Sequence, residues 1–254
     1  MKRHGNYEGA LSVIDVMKSV YNPRLHSSAL MKEYVTDQCS DLIAASTFWL
    51  HHFGRNDEAL QLCDQVVDRF LPEIEATELI TKLNILGPIC RTLAYQGQLS
   101  TAKRALELFR SHVFDPMNAV VESGGKAHPA FGFRVPVIII LKCNCSGGDI
   151  YDDLSTDVTY MLNRNEPVWY ETAWLSYFDA AWSTMCAEAC MCLAKMMTSC
   201  TSHDESSALI EEGLKCLEVS IKTLKNEDGT IVNDMAYSYY SKILSGLENL
   251  SNPV

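Results

Sequence analysis

Basic residues are the scarce class in this 254-residue chain, where 21 Lys and Arg stand against 32 Asp and Glu for a formal charge of −11. Binding to nucleic acid or to an anionic membrane surface needs clustered Lys and Arg. No such cluster occurs, so neither nucleic acid nor membrane is expected as a partner. Long apolar runs are missing too. The longest, 135–141, includes Pro136 and falls far short of the roughly 20 residues that span a bilayer. The opening MKRHGNYEGALSVIDVMKS has no apolar stretch of signal-peptide length, and a cytoplasmic location is expected. The ten cysteines are scattered among Leu, Ala, Val and Met, as reduced core thiols are. Catalytic signatures are also lacking. The one Gly-Lys pair, Gly125-Lys126, has Val120 where a phosphate loop needs its first glycine and Ala127 where it needs a hydroxyl. Metalloprotease, kinase, nucleophile-elbow and dinucleotide patterns do not occur. The expectation is a non-enzyme with no cofactor and no metal.

What is present is an ordinary globular composition, 47% hydrophobic and 21% charged, which excludes a chain disordered throughout, and a repeated form. GNYEGAL at 5–11 returns as GRNDEAL at 54–60 and GQLSTAK at 97–103, and more faintly as GDIYDDL at 148–154. The first three open segments with apolar residues at helical spacing: Ala10, Ile14 and Met17; Ala59, Cys63 and Val66; Ala102, Leu106 and Phe109. A proline follows each of the four glycines at nearly constant distance: Pro23, Pro72, Pro116 and Pro167 lie 18, 18, 19 and 19 residues beyond Gly5, Gly54, Gly97 and Gly148. Proline cannot continue a helix and pushes the preceding residue out of the helical region, so these read as stop signals in register. A second apolar segment separates each proline from the next glycine. The unit is helix, turn, helix.

The glycine, the alanine five residues on, the apolar positions after it and the closing proline resemble the second half of a tetratricopeptide (TPR) repeat. The resemblance implies a first helix that is apolar at set positions, here Ile43, Ser46 and Leu50; Leu86, Ile89 and Leu93; and Val137, Ile140 and Asn144. Thr47, Cys90 and Leu141 stand where that family has a small residue, Asp153 stands where the alanine belongs, and the glycines are 49, 43 and 51 residues apart against about 34 in a standard repeat. The expected fold is therefore all-α, an antiparallel helix-pair solenoid of the TPR-like type with about ten elongated helices in one domain over 1–254. Residues 116–135, with Gly124-Gly125, Pro129 and Gly132, are expected as an irregular loop. Residues 137–141 read as helix by the repeat register, with a strand as the alternative. Because the array opens on a second-type helix, we expect the chain to be a fragment of a longer one.

In TPR-like arrays the first helices line a concave groove. That placement implies a binding surface containing Asp41, Phe48, His51 and His52 from one unit, Asn84, Arg91 and Tyr95 from the next, and Lys142 from the third. His51 and His52 adjoin and point about 100° apart; capping a helix end is their other reading. Arg91, set among Ile89, Cys90 and Leu93, is expected as an exposed groove residue that takes a carboxylate. Its removal would then leave stability nearly unchanged. Its other reading is a snorkelling or ion-paired arginine. Tyr170, Trp174, Phe178 and Trp182 recur every four residues and form either core or a second docking face, with Glu171, Asp179 and Glu188 on the solvated side. Cys186 and Cys190, with Cys192, Cys200 and His203 nearby, offer thiolates at i and i+4 to zinc, but Met185, Cys186, Ala189, Cys190, Leu193, Met196 and Met197 also read as a plain buried stripe. The expected function is a non-catalytic scaffold for a peptide or partner protein in signalling. The alternative is a regulatory helical region of a multidomain nucleotide-dependent signalling enzyme.

Overall fold

The computed structural model describes residues 40–69, 71–124, 129–145, 151–163, 175–199, 203–226, 228–231 and 234–251. Among the described residues the protein is all-α. The β-type pairing among these residues is an isolated antiparallel bridge between Lys225 and Ile231, and no described helix is long and apolar enough to cross a membrane. The described residues divide into two compact units, 40–134 and 135–251.

The first unit runs α1 (Ser40–His52), α2 (Asn56–Arg69), a 3-10 turn (Leu71–Glu73), α3 (Leu79–Ala94) and α4 (Leu99–Phe109). A π-helical turn (Arg110–Phe114) then leads into α5 (Asp115–Glu122), and a 3-10 turn (Pro129–Phe133) follows. The chain turns from α1 into α2 at Gly54, whose φ of 79° is a left-handed value. There the Gly54 N–H donates to the His51 carbonyl (2.9 Å) and the Arg55 N–H donates to the Leu50 carbonyl (2.9 Å). These are the paired bonds of a Schellman cap, and they satisfy carbonyls that the helix end would leave open. Gly97 repeats the left-handed conformation after α3, with φ 75°. Gly54 and Gly97 are thus helix-ending residues, at positions where an L side chain is disfavoured.

α3 is the centre of this unit. It packs against α1, against α4 and against the π-helical turn, and all but a few of its residues are buried, as a helix with neighbours on several sides requires. Leu86, Ile89 and Leu93 are fully enclosed, as are Leu50 on α1 and Ala59, Cys63 and Val66 on α2. α1 and α3 are parallel, because Phe48 meets Arg91 and, three residues on, His51 meets Tyr95. The offsets of 43 and 44 residues match the 43 that separate Gly54 from Gly97.

Two sequence expectations are corrected here. Pro116 does not stop the helix that begins at Leu99, and within the stretch 116–135, expected as an irregular loop, α5 carries the helix on to Glu122 and Pro129–Phe133 is 3-10, while 125–128 lie outside the described residues. The π-helical turn is the reason. Its wider bore, with the Asp115 N–H donating to the Arg110 carbonyl, relieves the clash between a proline ring and the carbonyl four residues back. Phe109, Val113 and Met117 meanwhile stay buried in one stripe through the irregularity.

The second unit contains α6 (Arg134–Cys145, its first residue belonging to the first unit), α7 (Tyr151–Asn163), α8 (Leu175–Ser199), α9 (His203–Leu224) and α10 (Asp234–Ser251). Residues 137–141 are helical and buried. Asn144, at a position expected to be apolar, turns its Nδ2 back to donate to the Ile140 carbonyl (2.8 Å). α8 packs on both α9 and α10, and the Thr184 hydroxyl donates to Ser220 Oγ (2.9 Å) inside that contact. Cys186, Ala189, Cys190, Leu193, Met196 and Met197 form the buried stripe. Glu188, expected on the solvated side, is only 1% exposed, because neighbours on more than one side of α8 leave it little solvated face.

Gly54→Ala forces an L residue into the left-handed region and should destabilise the chain by about 1–2 kcal/mol in urea unfolding; an unchanged midpoint would show that the cap is not a determinant of the turn. In the second unit, a methyl built on Gly213 of α9 lies 3.0 and 3.1 Å from the Leu247 methyl carbons and 3.2 Å from Cys190 Cβ. One built on Gly246 of α10 meets only the flexible Met191 thioether. Overpacking costs roughly 1–3 kcal/mol, whereas Ala in place of helical Gly gains about 1 kcal/mol. Gly213→Ala should therefore lower the melting temperature and Gly246→Ala should hold or raise it; the reverse order would contradict the packing described.

Candidate functional site

The last turns of α1 and α3 bring together Phe48, His51, His52, Arg91 and Tyr95. Parallel packing does this. The Arg91 guanidinium carbon sits 4.6 Å from the centre of the Phe48 ring, a cation–π distance. His52 stacks near the same ring at 6.4 Å with 12° between planes, and His51 stacks on Tyr95 at 6.0 Å with 7° between planes. Trp49 and Phe53 extend the group, stacked at 6.2 Å. Phe48 and Arg91 are buried, while His51, His52, Phe53 and Tyr95 keep part of their surface open. The result is a ridge of half-open rings above a buried arginine.

At 7% exposure, Arg91 is not the exposed groove residue expected from sequence. Its side chain is packed between helices, and its loss has to be felt in stability. Lys82, the other basic group on α3, is nine residues or about 13 Å of helix away and cannot share a site with it. Asn84 is exposed two turns below Arg91 on the same helix. Lys142 belongs to the other unit, where it forms a 3.0 Å ion pair with Asp157 of α7, both side chains 17% exposed. The side chain of Asp41, and all of Tyr170 and Trp174, lie outside the described residues, as do Cys200 and the His203 side chain.

Polar groups complete the ridge. His51 Nδ1 is 2.9 Å from Asn56 Oδ1 and 3.4 Å from Gln96 Nε2. Arg55, at the turn, is ion-paired with Glu58. Asn56, Gln96, Trp49 and Phe53 were not singled out in the sequence. The signal available for Gln96 was the repeat itself, since adding to Phe53 the 43 residues that separate Gly54 from Gly97 gives Gln96.

The nearby thiols are poor nucleophiles. Burial pushes Cys63 up to about 12 despite its hydrogen bond with Thr47, and burial, aided by the neighbouring Cys63, raises Cys90 well above the usual thiol range. Both are neutral at physiological pH, and thiolate chemistry is closed to them. Among the described residues no three His, Cys, Asp or Glu side chains are placed to hold a metal ion. No family model, curated protein or solved structure matches the chain.

The Arg91–Phe48 contact can be measured by a double-mutant cycle on Arg91→Ala and Phe48→Ala. Each single change should destabilise the chain by at least about 1 kcal/mol as a buried truncation. The coupling between them should approach the roughly 2 kcal/mol of a desolvated cation–π pair. Additive effects would show that the two side chains pack independently.

Proposed function

We propose that the chain is a non-catalytic interaction scaffold of the cytoplasm, a TPR-like solenoid of antiparallel helix pairs that docks a peptide or partner domain on the ring ridge of α1 and α3. The observation that carries the reading is the register of those two helices. They meet at residues 43 and 44 apart, which matches the 43 between the glycine-ended turns at Gly54 and Gly97, so equivalent positions of these two helix pairs stand side by side. That is how stacked repeats build a continuous surface. The surface so built is rich in aromatic and imidazole rings with part of their surface open, and it includes Trp49 and Tyr95, residue types enriched among those that dominate binding energy at protein interfaces.

A test is selection of random dodecamer peptides on the full chain, followed by calorimetric titration of the enriched sequences against wild type, Tyr95→Ala, His52→Ala and, as a distant control, the exposed Glu107→Ala. Tyr95→Ala should weaken binding at least tenfold, about 1.4 kcal/mol or more, while Glu107→Ala leaves it unchanged. Peptides that bind all four proteins equally would place the docking surface elsewhere. Failure to enrich any sequence would argue against peptide recognition.

A further inference from the structure

His51 stands where the two helix pairs meet, and its Nδ1 has two side-chain neighbours that make opposite demands. Asn56 Oδ1, 2.9 Å away at the start of α2, is an acceptor and needs a proton on Nδ1. Gln96 Nε2, 3.4 Å away in the turn after α3, is a donor and needs a lone pair there. One ring nitrogen cannot serve both at once. The orientation of the Gln96 amide is supported separately, since the same Nε2 also reaches the Thr92 carbonyl at 3.3 Å. Tyr95, flat against the imidazole, holds the ring plane while the proton changes place.

We propose that His51 is a proton-operated selector between the two helix pairs. With the proton on Nε2, the neutral ring accepts from Gln96 and ties the end of α1 to the turn after α3. The imidazolium carries a proton on both nitrogens, so its Nδ1–H donates to Asn56, within the first turn, and Gln96 is left on the Thr92 carbonyl alone. An imidazole makes this change between about pH 5 and pH 8.

Among the described residues, charged and titratable groups of both signs surround the ring. Arg55, in the turn, has its charge met by Glu58 on α2. Arg91 on α3 lies over Phe48 and opposes a second cation, as would a protonated His52 on α1. The carbonyl ends of α1 and α3 favour a cation, and Tyr95 gains attraction for it as a ring face. The selector itself rests on the geometry of His51. Its consequence for binding, that affinity at the ring ridge changes over the same pH range, rests on the scaffold reading.

The experiment is a nitrogen-15 NMR titration of the His51 ring in the full chain, in wild type, Gln96→Leu, Asn56→Leu and the near-isosteric Asn56→Asp. Removing Gln96 should move the neutral ring toward the Nδ1–H tautomer and raise the titration midpoint. Asn56→Leu should do the reverse and lower it, each by about half a pH unit, the equivalent of one net hydrogen bond. Asn56→Asp, which can only accept, should raise the midpoint. Midpoints raised in both leucine variants would mean that both amides donate to the ring, midpoints lowered in both that both accept from it, and an unmoved tautomer that neither contact governs it; any of these results overturns the selector. Titrating a selected peptide at pH 8 and pH 5.5 separates the two ideas. Opposite-signed NMR shifts with pH-independent affinity would leave the selector standing and remove its link to binding.

Discussion

The parallel contact between α1 and α3 is the constraint on which the first unit depends. Once these helices lie side by side with their last turns level, the turns after them, at Gly54 and Gly97, are brought to the same end. α2 and α4 then fold back beside their own partners. A shift of one residue along either helix would rotate its contact face by about 100°, taking Leu50 or Leu93 out of the core and separating Phe48 from Arg91. Apolar burial sets the register, and the ring contacts follow from it.

That order of causes explains why the ring ridge has the chemistry it has. Helix C-terminal turns carry partial negative charge and favour cations, which suits His51, His52 and Arg91. The same crowding that buries Arg91 needs an aromatic face to compensate its lost hydration, and Phe48 provides one. The thiols beneath sit in a medium where a charged sulfur is too costly to form. The site is therefore suited to contact, stacking and proton-dependent hydrogen bonding, and its thiols are unsuited to covalent chemistry.

The second unit uses a different device. α8, α9 and α10 converge where Gly213 gives α9 a surface without a side chain, so that Cys190 and Leu247 approach from two sides. Small residues at such a point exchange helix propensity for close packing. Polar residues inside the contact are satisfied locally, as Thr184 is by Ser220 and as Ser206 is by the Ala194 carbonyl, so they do not open the interface to water.

The sequence by itself determined the helices, their capped turns and most of the core positions of the first unit, because these depend on interactions a few residues apart. Helical spacing marked Ala59, Cys63 and Val66, the glycines marked where the turns at Gly54 and Gly97 fall, and the repeat register placed Leu50, Leu86, Ile89 and Leu93 inside. It also drew Phe48, His51, His52, Arg91 and Tyr95 into one candidate surface. It misjudged Pro116, since a local rule about proline takes no account of a π-helical turn that tertiary packing of Phe109, Val113 and Met117 holds in place. It misjudged the exposure of Arg91 and Glu188 because burial depends on how many neighbours a helix acquires, which a periodicity along one helix does not contain. Only the tertiary structure decided that Arg91 lies over Phe48 and that His51 stands between Asn56 and Gln96. The His51–Gln96 contact joins residues 45 positions apart, brought within reach by the packing of α1 on α3.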